Sequence, residues 1–398
     1  MKTHVSVMTL VLGLGTLPAA AQLHLITGSP NPRAPSGYVS ALFRITSDGV
    51  VEKVADLVTD SGGTEWIAAS QDLRKAVLAP KKSEIPLVVV DFDKSAVVKR
   101  CNNPPDPDNG PITRWLLDLP DKGPVYAELL SSGDKIRIRA MVLDPSIPCG
   151  QSFTPINPAD AKYLVASGTA GVAESGGNDS MQAGIGKDGT LTRFFGHGVA
   201  ALFDYKVPLA MYSDLLQTFA FVIANNQRLF AVGLVDYSRP GSQRLLILRK
   251  SDGTWHRMPD MGESTDSLRA FGDFVAAVAA IPKGPTMRES AGRPEWRKED
   301  SAIGPSLSGL FHESRFAFPG RLYLYDVSTG RVYSVATNQG DSEILLVEDG
   351  VVYYRASDRL YSTTMTDKGL GPSRLLTTSE VVRDTHWAFI KHDTAAHK

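Results

Sequence analysis

Short alternating runs of apolar and polar residues recur along most of this chain, and they come in pairs. The clearest pair is Arg321 to Val335, where Leu322, Leu324 and Asp326 fall on one side of an extended strand and Tyr323, Tyr325 and Val327 on the other. The runs are joined by Asp326-Val327-Ser328-Thr329-Gly330, in which Gly330 can take the positive φ of a tight turn. This is a β-hairpin. The same grammar predicts hairpins at Leu42–Val54 around Asp48-Gly49, at Val88–Val98 and at Ala183–Leu191. Two more are expected at Leu246–His256 around Asp252-Gly253 and at Leu360–Gly369.

A second, more apolar kind of strand pair lies between these hairpins. It is read at Glu65–Ala79, Val125–Val142, Phe219–Val235, Leu268–Ile281 and Ile344–Tyr354, with turns at Gln71-Asp72, Ser132-Gly133, Asn225-Asn226, Gly272-Asp273 and Asp349-Gly350. Continuous apolar character predicts burial on both faces, so these pairs are expected on the inside and the hairpins on the outside. The fold class is all-β, with four antiparallel strands per repeat.

This repeat resembles the blade of secreted bacterial β-propellers with YVTN-like or WD-like blades. The resemblance covers nearly the whole chain after the first residues. It rests on turn chemistry and alternation, without a WD dipeptide. It implies a single domain over residues 22–393 with six or seven four-stranded blades, and a short disordered tail at 394–398. Val381–Ile390 reads as a strand lacking a partner pair, and Leu23–Ile26 lies just ahead of the first hairpin. Pairing the two ends would complete one blade and tie the ring shut. Two stacked sandwich domains are the rival all-β reading. Segments 102–124, 144–181 and 282–319 are rich in Pro, Gly, Asn and Asp or in mixed charge, and they read as long insertions. The last is either an ordered flap or a mobile loop.

The N-terminus changes the expected compartment. Lys2, an apolar run from Val5 to Leu17, and small residues at Ala19 and Ala21 form a signal peptide cleaved between Ala21 and Gln22. The run is shorter than the roughly 20 residues a spanning helix needs, so no membrane span is expected after cleavage. The alternative is an uncleaved anchor. In an oxidising compartment Cys101 and Cys149 are expected to form a disulfide rather than two free thiols. The 42 basic and 43 acidic residues nearly cancel, which gives no electrostatic reason to expect nucleic acid as a partner. The mature chain is expected to be a monomer in the periplasm or outside the cell.

Candidate chemistry is sparse. There is no Gly-x-Ser-x-Gly elbow. Asp106 and Asp108, in Asp-Pro-Asp-Asn-Gly, resemble part of a Ca²⁺ loop but lack the later glutamate, and turn chemistry explains them as well. No metal site or other cofactor is expected; zinc at His386, His392 and His397 is the weaker idea. The ligand-binding candidates are His197 between two glycines, Trp296 and Arg297 in the charged insertion, and Asp236 and Asp273 near the ends of inner strands, with Asp266 and Glu348 beside them. The expectation is a non-catalytic binding module for a protein, glycan or peptide. The alternative is a hydrolase or lyase acting on extracellular carbohydrate or peptide at a central channel. Converging Asp, Glu, His or Arg side chains beneath 282–319 would favour the alternative.

Overall fold

The computed structural model describes residues 22–30, 38–46, 48–59, 65–69, 74–80, 86–102, 111–119, 123–132, 135–142, 153–156, 172–174, 183–185, 188–189, 191–195, 198–200, 206–213, 218–225, 228–236, 243–258, 264–280, 320–337, 342–383, 385 and 387–391. They form antiparallel sheets almost throughout. Sheet one holds β1 (Gln22–Pro30), β2 (Tyr38–Ile45) and β3 (Val51–Thr59). Sheet two holds β4 (Glu65–Ala69), β5 (Lys75–Pro80), β6 (Leu87–Asp91) and β7 (Ala96–Cys101). Sheet three holds β8 (Pro111–Leu119), β9 (Gly123–Ser132), β10 (Lys135–Val142) and β11 (Phe153–Ile156). Next, β12 (Val172–Glu174) pairs with the free edge of β4 in sheet two.

Sheet four has seven strands. A small group of β13 (Ala183–Ile185), β14 (Leu191–Phe195) and β15 (Gly198–Ala200) adds to the edge of β16 (Thr218–Asn225). From there the order runs through β17 (Leu229–Asp236) and β18 (Gln243–Arg249) to β19 (Thr254–Arg257). Sheet five is β20 (Ser264–Phe271), β21 (Phe274–Ala280), β22 (Gly320–Asp326) and β23 (Arg331–Ala336). Sheet six is β24 (Ser342–Glu348), β25 (Val351–Ala356) and β26 (Arg359–Thr366), whose outer edge is shared by the short β27 (Gly369–Leu370) and by β28 (Arg374–Thr378). One turn of helix, α1 (Glu380–Arg383), then leads to β29 (Trp387–Lys391).

The last strand returns to the first. β29 pairs antiparallel with β1 in the register Leu23↔Ile390, His24↔Phe389, Leu25↔Ala388. Sheet one therefore has the order β29-β1-β2-β3, mixing both ends of the described chain. Burial fixes that register, because a one-residue slip would turn Leu25 and Ala388, both fully buried, to the other face. Phe389 stacks on Phe92 of sheet two with centroids 3.9 Å apart.

Among the described residues three apolar clusters lie between sheets, and a fourth joins sheet four to residues 207–212. Phe43 and Leu25 of sheet one share an apolar cluster with Leu345 and Tyr353 of sheet six and Leu322 and Leu324 of sheet five. The other face of β22, carrying Tyr323, Tyr325 and Val327, packs with Leu229, Ala231 and Ile247 of sheet four. Leu42, Leu57, Val88 and Phe92 form a third cluster between sheets one and two. Burying a side chain such as Leu or Phe in this way contributes about 1.5–3 kcal/mol.

The predicted alternation in β22 is observed, with one correction. Leu322 to Val327 are all buried, so the third strand is as deeply placed as the described part of the second, and the fourth meets solvent. The physical reason is that β22 sits between two neighbouring sheets, each of which covers one of its faces. Two segments read as loops carry strands: 102–124 contains β8, and 144–181 contains β11 and β12. Thus Val125–Val142 forms the middle of sheet three, with β8 on the side that touches β4. The hairpin at Ala183–Leu191 also changes place, since β13 joins the edge of β16 instead of an outer edge.

Candidate functional site

Antiparallel order divides sheets five and six into two ends. The turns at 272–273, 327–330, 349–350 and 367–368 share one end. The connections 281–319, 337–341 and 357–358 belong to the other, here called the insertion end. Two ties hold the turn end together across sheets: Arg249 Nη2 donates to the Val327 carbonyl at 2.5 Å, and Arg331 Nη1 donates to the Asp367 carbonyl at 3.3 Å.

Between sheets five and six lies the most deeply buried charge cluster among the described residues. Glu343 is the second residue of β24, and Arg355 sits directly across from it on β25. Paired residues of an antiparallel ladder share a face, and this one meets sheet five. Arg269 arrives there from β20, on the side opposite Leu268, which packs toward sheet four. Glu343 Oε1 lies 2.6 Å from Arg269 Nη2, and its Oε2 accepts from Arg355 Nη2 at 3.2 Å. The three side chains are 12%, 12% and 4% exposed for Arg269, Glu343 and Arg355. Such burial sets this trio apart from the surface pairs Arg44–Glu52 and Lys206–Asp188, which are worth little. Charges this deep are retained only when paired.

Chemically, the trio gathers two guanidinium groups on one carboxylate, whose two oxygens each serve a different arginine. That arrangement suits recognition of an acidic group by charge-assisted hydrogen bonds. It contains no nucleophile. Among the described residues no group of three or more His, Cys, Asp or Glu could hold a metal ion.

Of the residues singled out in the sequence, those that are described fall at both ends of their strands. Asp273 lies at the turn end, paired with Arg228 at 2.5 Å. Glu348, the last residue of β24, also lies at that end of the chain path, whereas Asp236 ends β17 and Asp266 is the third residue of β20, both nearer the opposite end of their strands. Being near a strand end therefore does not mean being near one another. His197, Trp296, Arg297, Asp106, Asp108 and Cys149 lie outside the described residues, as do His392 and His397. Cys101 closes β7 and is 1% exposed.

Sequence reasoning missed Arg269, Glu343 and Arg355. The available signal was a charge embedded in an apolar strand, as in Ser-Leu-Arg-Ala-Phe, Ser-Glu-Ile-Leu-Leu-Val and Val-Tyr-Tyr-Arg-Ala. A second buried polar tie, His24 Nε2 to Ser95 Oγ at 3.0 Å, links sheets one and two.

No family model matches the sequence, and no curated protein matches it. Several solved structures are similar in shape at low identity. The crystal structure of TolB from Acinetobacter baumannii is 13% identical over 93% of this chain, with a TM-score of 0.39; the alignment spans 66% of that TolB, just under two thirds of its length. A nidogen/laminin complex is 9% identical over 93% of this chain and 98% of that one, with a TM-score of 0.40. The β-propeller domain of the Trilobed protease from Pyrococcus furiosus, described as having an open velcro topology, is 10% identical over 90% and 95% of the two chains, with a TM-score of 0.43. Among the described residues no helix is long and apolar enough to cross a membrane.

Proposed function

We propose that this chain is an extracytoplasmic β-propeller that works as a non-catalytic binding module, recognising an acidic group on a peptide or glycan where sheets five and six meet. The observation that carries the reading is the buried Arg269–Glu343–Arg355 trio, built for anion recognition and lacking a nucleophile. Five of the six sheets, packed through shared apolar clusters, with β29 returning to β1, support the ring. Export follows from the N-terminal segment and from cleavage between Ala21 and Gln22, which leaves β1 intact. In that compartment Cys101 pairs with Cys149. Among the described residues no cysteine stands as a free thiol, and Ellman titration of the unfolded protein should find none.

The test is a binding screen of the mature chain against carboxylate-bearing and neutral peptides and glycans. The proposal expects binding confined to acidic ligands, weakened roughly tenfold or more in Arg355→Gln. Removing the shared carboxylate in Glu343→Gln strands two buried guanidiniums and should destabilise the fold by about 3–5 kcal/mol. Binding that ignores ligand charge, or catalytic turnover of the ligand, would overturn the reading.

A further inference from the structure

Sheets four and five meet along a seam whose outer edge carries a histidine. His256 lies in β19 directly across from Ile247 of β18, and paired residues of a ladder share a face. Ile247 packs on that face with Leu229, Leu268, Tyr323 and Tyr325, so His256 is turned toward sheet five. Its neighbour Trp255 takes the other face, edge-on to Phe230 with ring centroids 6.3 Å apart. His256 as a whole is half-buried, but its Nε2 is buried and meets no hydrogen-bond partner.

The frame around the ring is held by the backbone. In four sheets the residue after the third strand donates its N–H back to the turn between the first two. Phe92 donates to the Arg74 carbonyl at 2.9 Å, Lys250 to Arg228 at 2.8 Å, Val327 to Asp273 at 3.0 Å and Met365 to Gly350 at 2.7 Å. Val327, fixed in this way on sheet five, presents its carbonyl to Arg249 Nη2 of sheet four. Arg249 stands two residues from Ile247 on the seam face, and it is one of the two charges acting on His256. The other is Asp252, which already accepts from Thr254 N–H at 2.9 Å and from Arg249 at 3.3 Å. From β22 the facing titratable groups are Tyr323 and Tyr325, and burial pushes the Tyr325 phenol up. Beside them β23 places Val332 and Ser334, the ladder partners of Tyr325 and Tyr323. Strands β17, β20 and β21 bring Leu229, Leu268 and Val275.

We propose that His256 is an acid-sensitive latch on the seam between sheets four and five. A neutral imidazole leaves the seam shut. In the imidazolium both ring nitrogens are donors, and the N–H at Nε2 has no acceptor there. Protonation also sets a second cation beside Arg249 against Ile247 and the tyrosines, which loosens the contact of β18 and β19 with β22. Burial pushes the imidazole below its ordinary value of 6.5, and Arg249 lowers it further, against a smaller rise from Asp252. The folded protein therefore binds this proton less readily than the unfolded chain. The seam has its full stability above 6.5 and loses it as pH falls from there through the folded value.

The experiment follows amide hydrogen exchange of the mature chain between pH 7 and pH 5, corrected for the intrinsic pH dependence, in wild type and His256→Gln. Protection of β19 and β22 should fall about tenfold in wild type over this range and by less than about twofold in His256→Gln. Protection of β25 in sheet six should hold in both. A second measurement needs no variant: the His256 ring proton between the two nitrogens, followed by NMR, should titrate with a midpoint below 6.5. Equal acid loss in His256→Gln, equal loss in β25, unchanged protection of β19 and β22 in wild type, or a ring midpoint at or above 6.5 would overturn the proposal.

Discussion

The turn that closes sheet five and the turn that closes sheet four have nearly the same backbone and opposite side chains. In one, Gly330 donates to the Asp326 carbonyl at 2.8 Å with φ of 73°; in the other, Gly253 donates to Arg249 at 3.0 Å with φ of 70°. Both glycines occupy the left-handed region that disfavours a Cβ. In sheet five the paired positions hold Asp326 and Val327, which look inward. Burial raises the Asp326 carboxyl, but hydrogen bonds from the Ser328 and Thr329 hydroxyls and N–H groups outweigh it and hold the group below the usual carboxylate range. In sheet four the same positions hold Arg249 and Lys250. Arg249 reaches across to the Val327 carbonyl, so the two turns are directly tied. The difference teaches that ladder and glycine set the frame, while the two residues before the turn carry what is particular to each sheet. Sheet two follows sheet five, with Asp91 and Phe92 in those places and Lys94 N–H donating to Asp91 at 3.1 Å.

Exchanging the two kinds of turn has the largest expected effect. Val327→Lys puts an ammonium among Leu229, Ile247 and Tyr325, and should cost about 3–5 kcal/mol in denaturant unfolding. A cost below about 1 kcal/mol would mean that the position accepts lysine anywhere and that Lys250 is not special. Next in size, Asp326→Ala leaves the Ser328 and Thr329 N–H groups without their acceptor and should cost about 2–3 kcal/mol. The folded carboxyl titrates below its unfolded value, so its contribution is present above the unfolded pKa and is lost as pH falls through the folded one. The gap between wild type and Asp326→Ala should therefore close in acid.

The smallest expected effect comes from the opposite exchange. Lys250→Met should stabilise the protein by roughly 1 kcal/mol at pH 7. The folded lysine titrates at about 7 and the unfolded one near 10.5. Between these values the unfolded chain binds more protons, so wild-type stability rises with pH. The advantage of Lys250→Met should accordingly shrink from pH 7 toward 10.5, and a pH-independent difference would show that Lys250 is not desolvated.

What could be read from the sequence was the local grammar. Alternation in Leu322–Val327 and glycine at 330, 49 and 253 specify hairpins without help from distant residues. Gly49 shows the tertiary part of that demand, since a Cβ there would meet the Leu376 carbonyl of β28 at 2.4 Å. The terminal strands were also legible, because each was left without a partner. β8 was not, since the Pro and Asn residues ahead of Thr113–Leu119 hid a short alternating run. Nor was the charged trio, whose members come from three strands and meet only when sheets five and six pack. Lys250 was invisible for another reason: Lys-Ser-Asp-Gly reads as an ordinary solvated turn, and only comparison with Phe92, Val327 and Met365 in space marks the position as inward.

The pairing of β29 with β1 has a direct test. Leu25 and Ala388 are register partners. The double variant Leu25→Cys with Ala388→Cys, expressed as the mature chain and oxidised mildly, should form an intramolecular disulfide, identified by peptide mapping. Cross-linking the chain ends should add on the order of 4–5 kcal/mol of stability. Free thiols at both positions after oxidation, or cross-links found only between molecules, would contradict the closure.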